Sequence, residues 1–311
     1  MISIVIPNLN GLVHLKACYD SLLSQSFKDF EIILVDNNST DGSIEFTEKN
    51  YPLIKIIRLD SNTGFAKAVN AGISRSGTEF VLLLNNDTAC DPEFLSEMMK
   101  GFKRRDTGSV ACKMLNFNDR TYIDDAGDFI KKRGSPYARG YGEKDKSQYD
   151  KEEYIFGACA GAALYKKEVF DKVGLFDEDF FAYYEDVDFS FRMQMAGYKC
   201  FYNPKALCYH KRGATTDMKD GYRTMLCEKN LIALRLKNYP LGMLISNLPF
   251  FWLVRARRYF LFLIRHSPQL FFSAVKGFFM GILEIPKSLK KRPQIQSGRK
   301  VSIEYLESIL K

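Results

Sequence analysis

Short apolar stretches rich in β-branched residues alternate with segments of helical periodicity through the first 115 residues. The stretches are residues 3–7, 31–36, 54–59, 79–85 and 109–115. Each of the first four is followed by a segment in which apolar residues recur at helical spacing. Nearly continuous apolar strands in such an alternation predict a mostly parallel sheet with helices on both faces. The sequence therefore predicts an α/β fold of the Rossmann-like kind.

Polar residues follow the predicted strands at the points where the strands end. Asn10 follows the first strand, Asp36 ends the second, Asn62 follows the third, and Asn85, Asn86 and Asp87 follow the fourth. Parallel sheets bind ligands at the carboxyl ends of their strands. The sequence thus predicts a polar binding site at this edge of the sheet.

Acidic residues at two positions are candidates for metal binding or catalysis. Asp87 follows a predicted buried strand. A carboxylate at this position could bind a hard divalent cation that also contacts substrate phosphates. The alternative is that Asp87 belongs to an Asx turn without a ligand. Glu185 and Asp186 open a predicted helix beside an aromatic cluster, and adjacent carboxylates near apolar rings suit a general base. Asp188, one turn further, is explained without function by helix-dipole compensation and an i,i+4 ion pair with Arg192. A lone His such as His210 is more often structural than a ligand.

The order of these segments along residues 2–215 resembles the family 2 glycosyltransferases. It is most similar to the non-processive, rhamnosyltransferase-like branch with the GT-A fold. The segments are PNLN at 7–10, VDNNSTDGS at 35–43, NTGF at 62–65, LNND at 84–87, YYEDVD at 183–188 and YH at 209–210. The QxxRW motif of processive synthases is absent from the sequence. The resemblance therefore implies a GT-A fold and the addition of one sugar or a few.

The resemblance also implies residue roles. It places the nucleotide base in a pocket formed by Pro7, Asn10 and Asp36. It places Asn62, Gly64 and Lys67 in a segment that flanks the nucleotide. It places Asn85, Asn86 and Asp87 at the family's DxD motif, with Asn where the motif begins with Asp. It implies donor-sugar contacts from Gly161 and Ala162, a second metal ligand in His210, and a catalytic base in Asp186 paired with Glu185. The implied cofactor is Mg²⁺ or Mn²⁺.

The implied reaction is inverting transfer of a sugar from dTDP-rhamnose or a UDP-sugar. The acceptor would be a glycan or a polyprenyl-diphosphate-linked glycan in bacterial surface polysaccharide synthesis. Two alternatives stay open: a UDP-galactosyl- or N-acetylhexosaminyltransferase, and an inactive glycosyltransferase-like scaffold. A Rossmann oxidoreductase is disfavoured because no GxGxxG follows the first strand.

Positive charge is confined to the C-terminal quarter of the chain. Residues 235–311 hold 14 Lys and Arg against 3 Asp and Glu, whereas residues 1–234 hold 31 against 34. We therefore expect a catalytic domain at 1–234, no nucleic-acid partner, and a helical amphipathic extension at 235–311. Its aromatic and basic composition is typical of helices that bind an anionic membrane peripherally. The alternative is a helical pair packed on the catalytic domain or forming a homo-oligomer.

The seven cysteines are scattered and include no CxxC pair. This pattern predicts buried reduced thiols in a cytoplasmic protein. Together with the basic extension, it predicts a cytoplasmic enzyme on the inner face of the cell membrane.

Overall fold

The computed structural model of the protein describes residues 1–132, 134–211, 220–265 and 267–311. The strands are β1 (Ile2–Asn8), β2 (Phe30–Asp36), β3 (Lys55–Arg58), β4 (Phe80–Leu84), β5 (Thr88–Cys90), β6 (Thr107–Asn116), β7 (Ile123–Asp125), β8 (Asp128–Ile130), β9 (Pro136–Ala138), β10 (Glu153–Ile155), β11 (Ala162–Lys166) and β12 (Lys199–His210). The helices are α1 (Leu12–Leu23), α2 (Ser43–Asn50), α3 (Gly64–Arg75), α4 (Phe94–Lys100), α5 (Lys167–Val173), α6 (Glu185–Met195), α7 (Asp220–Asn238), α8 (Leu241–Ile264), α9 (Pro268–Leu283), α10 (Ile285–Ser297) and α11 (Ile303–Ser308). A 3₁₀ turn, Glu178–Phe180, precedes α6.

A mixed sheet, ten-stranded in the described part of the chain, forms the centre of the fold. Its order is β10-β12-β6-β11-β4-β1-β2-β3, with β5 paired to β12 and β7 paired to β6. The strands β3, β2, β1 and β4 are all parallel, as the alternation in the sequence predicts. The later strand β11 is inserted antiparallel between β4 and β6.

Apolar side chains cover both faces of the sheet. On β1, Ile4 and Ile6 belong to one buried cluster and Val5 to the other, because successive strand residues point to opposite faces. The helices α1 and α4 pack on the first face, and α3, α5 and α6 pack on the second. This arrangement confirms the predicted α/β class.

Strand register brings distant polar residues to one edge of the sheet. Asn8 pairs with Asp36 at the ends of β1 and β2. Ala162 at the start of β11 pairs with Leu84 at the end of β4, so the two segments flanking that point meet. His210, the last residue of β12, pairs with Thr88 of β5. The motifs around residues 85, 161 and 210 therefore converge.

The C-terminal helices pack on the catalytic part in two ways: α9 and α10 pack against α7, whereas α11 contacts α6 directly, where the hydroxyl of Tyr305 donates to Oε1 of Gln194 at 2.6 Å. Helix α7 runs without a break across residues 234 and 235, where the charge pattern predicts a domain boundary. Helix α9 approaches α7 so closely that a Cβ at Gly277 would lie 2.1 Å from the carbonyl oxygen of Met225. Because α7 is continuous across residue 234, no change of secondary structure accompanies the predicted domain boundary, which stays a prediction.

Among the described helices, none is by itself long and apolar enough to cross a membrane. Helices α9 and α10 are long and apolar enough to cross a membrane only when taken together, and a bend of 59° separates them.

Candidate functional site

A cavity of about 530 Å³ lies at the carboxyl ends of the central strands. Ten of the residues singled out in the sequence line it: Pro7, Asn62, Gly64, Asn85, Asn86, Asp87, Gly161, Glu185, Asp186 and His210. These residues come from segments spread over some 200 positions of the chain. The convergence that the strand ends predict is therefore present.

Four of the predicted residues do not line this cavity. Asp36 is buried, and its carboxylate accepts hydrogen bonds from Nδ2 of Asn8 at 3.1 Å and the amide of Ser39 at 2.9 Å. Oδ1 of Asn10 accepts a hydrogen bond from the amide of Thr40 at 2.8 Å. Lys67 is exposed on α3, and Ala162 is buried within β11. Their implied contacts with the nucleotide and the donor sugar stay predictions.

Asp87 and His210 form a buried pair that a third residue orients. Nε2 of His210 lies 3.2 Å from Oδ1 of Asp87, while Nδ1 donates a hydrogen bond to Oδ2 of Asp124 at 2.8 Å. Oδ1 of Asp87 has this ion-pair contact with His210 but makes no well-aligned hydrogen bond among the described residues. A carboxylate behind the ring fixes the direction of the other nitrogen, as in many metal-binding histidines. The donor set therefore fits a divalent cation.

The charges around His210 are strongly coupled. Burial disfavours the charged imidazolium, but the carboxylates of Asp124 and Asp87 outweigh it and raise the pKa of His210 to about 10. Burial opposes ionisation of Asp87 as well, yet the contact with His210 holds the pKa of that carboxyl below its usual value. A metal ion bound by these groups would therefore have to displace the proton of His210.

The turn after β4 is held by its own amide side chains. Nδ2 of Asn86 donates to Oδ1 of Asn8 at 2.6 Å, which ties the turn to the end of β1. Nδ2 of Asn85 lies 3.4 Å from Nε2 of His210. Asn85 thus lies beside the Asp87–His210 pair, where its side chain can contact whatever the pair holds.

The acid pair stands at the first turn of α6. Glu185 is buried, and among the described residues its Oε2 has no hydrogen-bond partner. Burial, together with the charge of Asp186, raises the pKa of Glu185 well above its usual value. Asp186 is partly exposed, and its two oxygens accept hydrogen bonds from the amides of Val187 at 2.8 Å and Ala160 at 3.2 Å. The two neighbouring carboxyls therefore occupy different environments, which is how acid and base roles separate.

The segment at the start of α3 closes the cavity on another side. Oδ1 of Asn62 accepts from Nδ2 of Asn37 and from the amide of Gly64, both at 3.0 Å. Gly64 has a φ of +82°, and a Cβ there would lie 2.5 Å from the carbonyl oxygen of Phe181. Only glycine allows this approach between α3 and the loop before α6.

Several lining residues were not singled out in the sequence. Asp125 and Asp128 come from the polar segment 117–155, in which no site residue was predicted. A carboxylate oxygen of Asp128 lies within 4.8 Å of one of Asp186. Arg223 of α7 also lines the cavity, with its guanidinium 5.5 Å from the ring centre of Tyr183. The acidic doublet 124–125 between apolar residues was the one signal available.

Comparison with known proteins identifies what the arrangement is similar to. The sequence profile described as glycosyl transferase family 2 matches residues 3–174, more than half of the chain. A poly-beta-1,6-N-acetyl-D-glucosamine synthase of Staphylococcus epidermidis is 28% identical over 65% of the chain and 50% of its own length. An N-acetylglucosaminyl-diphospho-decaprenol L-rhamnosyltransferase of Mycobacterium tuberculosis is 24% identical over 65% of the chain and 73% of its own length. The chain spans 25% to 50% of the length of the first curated relatives it matches.

A solved structure supports the same fold. The mannosyltransferase PcManGT of Pyrobaculum calidifontis, in complex with GDP-Man and Mn²⁺, superposes with a TM-score of 0.58 at 15% identity. The match covers 96% of this chain and 85% of that one. At this identity the likeness shows the fold alone, and it confirms the GT-A architecture with additional C-terminal helices.

Proposed function

Because the chain belongs to glycosyl transferase family 2, we propose that it transfers a sugar from a nucleotide-diphosphate donor to an acceptor hydroxyl. The observation that carries the proposal is one cavity that holds both the Asp87–His210 pair and the Glu185–Asp186 pair. Inverting transfer needs a leaving-group site and a base within the same cavity, because the acceptor attacks opposite the leaving group.

Asp186 is the proposed base. Backbone amides fix both of its carboxylate oxygens, and its partial exposure leaves room for an acceptor hydroxyl. The acceptor oxygen bonds to C1 of the sugar as the bond from C1 to the nucleotide diphosphate breaks, and Asp186 receives the hydroxyl proton. Glu185 is buried with a raised pKa, which suits a residue that stays protonated beside the base.

Asp87 and His210 are the proposed metal ligands, with Asp124 orienting the imidazole. A bound Mg²⁺ or Mn²⁺ would neutralise the diphosphate leaving group. Oδ1 of Asp87 supports this assignment, because it is buried beside His210 without a well-aligned hydrogen bond among the described residues, which otherwise costs stability.

The donor is proposed to be dTDP-rhamnose or a UDP-sugar, and the acceptor a glycan or a lipid-linked glycan of a bacterial surface polysaccharide. The name of the mycobacterial relative supports rhamnosyl transfer to a polyprenyl-diphosphate acceptor. The name of the staphylococcal relative supports the alternative, N-acetylhexosaminyl transfer.

A panel of nucleotide sugars tests the function. Nucleotide release from dTDP-rhamnose, UDP-galactose, UDP-glucose and UDP-N-acetylglucosamine would be measured with Mn²⁺ and with EDTA. We expect one donor to be turned over faster than the others by at least about tenfold, and EDTA to abolish the release. Binding of a nucleotide sugar with no turnover of any donor would favour the inactive scaffold instead.

We also propose that the C-terminal helices contact an anionic membrane from the cytoplasmic side. Large apolar side chains on α8 and α9 are exposed, including Ile245, Leu253, Phe260, Phe272 and Phe279. Exposed cations accompany them at Arg257, Arg265, Lys287 and Lys290. Of these cations, Arg257 lies on α8, Arg265 directly follows it, and Lys287 and Lys290 lie on α10. Apolar side chains combined with cations on neighbouring helices favour binding to a bilayer surface.

Vesicle co-sedimentation tests the membrane contact. Leu253 and Phe260 are 65% and 61% exposed, so the double variant Leu253→Glu, Phe260→Glu should fold yet lose binding to vesicles that contain phosphatidylglycerol. Leu53→Glu is the matched control, because Leu53 is 94% exposed in the turn after α2. Equal pelleting of the double variant and the control would refute the proposed surface.

A further inference from the structure

The loop that leads into the acid pair has an unusual backbone. Phe181, Tyr183 and Tyr184 all have positive φ, at 64°, 68° and 69°. Side chains larger than glycine rarely adopt this region, and such residues persist only where the surroundings hold them. The next two residues are Glu185 and Asp186, so the conformation of this loop sets where the proposed base points.

One side chain of α7 holds this loop. Nδ2 of Asn230 donates to the carbonyl oxygens of Phe180, Ala182 and Tyr183, at 3.0, 2.9 and 2.7 Å. Asn230 is fully buried, so water cannot replace these hydrogen bonds. Three carbonyl oxygens converge on a single amide group, which is the arrangement expected when one donor stabilises a bent backbone.

Neighbouring contacts fix the loop between α7 and α3. Nζ of Lys229, the preceding residue on α7, donates to the carbonyl oxygen of Asp179 at 2.7 Å. On the opposite side, the amide of Ala66 donates to the carbonyl oxygen of Phe181 at 3.2 Å, beside Gly64. The loop therefore lies between the segment expected to flank the nucleotide and the first of the C-terminal helices.

We propose that Asn230 is a positioning residue, which holds residues 180–184 in the strained conformation that presents Asp186 to the cavity. This role rests on the proposed transfer reaction. It lies outside residues 3–174, where the family profile matches. The chemistry requires a donor: an Asp at 230 would present an oxygen to three carbonyl oxygens, and an Ala would leave all three without this partner.

The variants Asn230→Asp and Asn230→Ala test the proposal on the full chain. The control is Asn247→Asp, because Asn247 is a buried asparagine of α8 whose Nδ2 donates to Met243 of its own helix at 2.8 Å. For each protein we would measure kcat on the active donor, the Kd of UDP with Mn²⁺, and hydrogen–deuterium exchange of residues 180–188.

The proposal predicts that both Asn230 variants lose kcat by about 100-fold, because a base displaced by about 1 Å loses its alignment. The Kd of UDP should stay within about threefold of wild type, because Asn230 does not line the cavity. Exchange should become faster in residues 180–188 while the rest of the protein keeps its protection. The control should match wild type in kcat and in the exchange of this loop.

Three results would overturn the role of Asn230: unchanged loop exchange with unchanged kcat, a parallel loss of kcat and UDP affinity, or faster exchange throughout the chain. The last two would show a general structural role. If wild type transfers no sugar at all, the proposed function fails. The exchange experiment still decides whether Asn230 holds the loop.

Discussion

A buried ion cluster joins α7 to α6 and allows a prediction about stability. The same prediction tests whether α7 unfolds together with the catalytic part or as a separate domain. Nζ of Lys237 lies 2.8 Å from Oδ1 of Asp188 and contacts Asp177. Lys237 and Asp188 are both buried. Asp188 also accepts from Nε of Arg192 at 3.0 Å and Nδ2 of Asn238 at 2.7 Å. Lys237→Met keeps the apolar stem and removes one cation from two carboxylates.

The magnitude follows from what each carboxylate retains. Breaking a buried ion pair on one side typically costs 3–5 kcal/mol, since a charge is left without compensation. Asp188 keeps Arg192 and Asp177 keeps Lys291, so we expect the lower end of that range, about 3 kcal/mol. For a chain of this size, the midpoint of thermal unfolding should fall by about 5 °C.

Lys291→Met is the matched control. Lys291 lies 2.6 Å from both Asp177 and Asp179, but its side chain is 41% exposed. An ion pair screened by water contributes little, so this variant should lose less than about 1 kcal/mol. Thermal unfolding followed by circular dichroism compares the two variants. Equal midpoints for Lys237→Met and wild type would refute the reasoning and favour a separable domain beginning near residue 235.

Three further predictions concern the site and its support. Gly64→Ala should cost about 2 kcal/mol through its positive φ, seen in thermal unfolding, and should slow transfer by displacing the loop; an unchanged midpoint would contradict this. Asp124→Asn should weaken Mn²⁺ binding by about 10- to 100-fold in a calorimetric titration with UDP present, because His210 loses its orienting carboxylate; unchanged affinity would exclude that role. Burial opposes ionisation of Asp188, but Lys237 and its other partners hold its folded pKa below the usual value. Its stabilisation is therefore present above about pH 4 and lost as the pH falls through the folded pKa, and Lys237→Met should flatten this acid limb.

The part of the fold that the sequence predicts best is the part built from local pattern. The strands β1, β2 and β4 are mostly apolar runs. Ligands of parallel sheets lie at strand ends, so the positions of Asn85, Asp87 and Asn62 at the cavity could be predicted. Glu185 and Asp186 were recognisable because two adjacent acids beside aromatic residues have no packing reason to be there.

The residues that sequence reasoning missed are brought in by long-range pairing. Asp124 meets His210 across 86 positions, through the short strand β7 and its register with β6. A three-residue strand in a polar segment has too little pattern to predict its partner. The antiparallel insertion of β11 between β4 and β6 is equally non-local. The contact of α7 with the loop before α6 depends on tertiary packing. The charge pattern does not reveal this packing and instead predicts a domain boundary at residue 234.

The central claim is that Asp186 is the base of a transfer reaction in this cavity, and Asp186→Asn tests it most directly. The change keeps the size of the side chain, and its one remaining oxygen can still accept a hydrogen bond from the amide of Val187 or of Ala160. It removes the ability of the side chain to accept a proton. Turnover of the active donor would be measured alongside the Kd of UDP with Mn²⁺. The account predicts that kcat falls by at least about 100-fold while the Kd of UDP is unchanged. Full turnover by Asp186→Asn would contradict it.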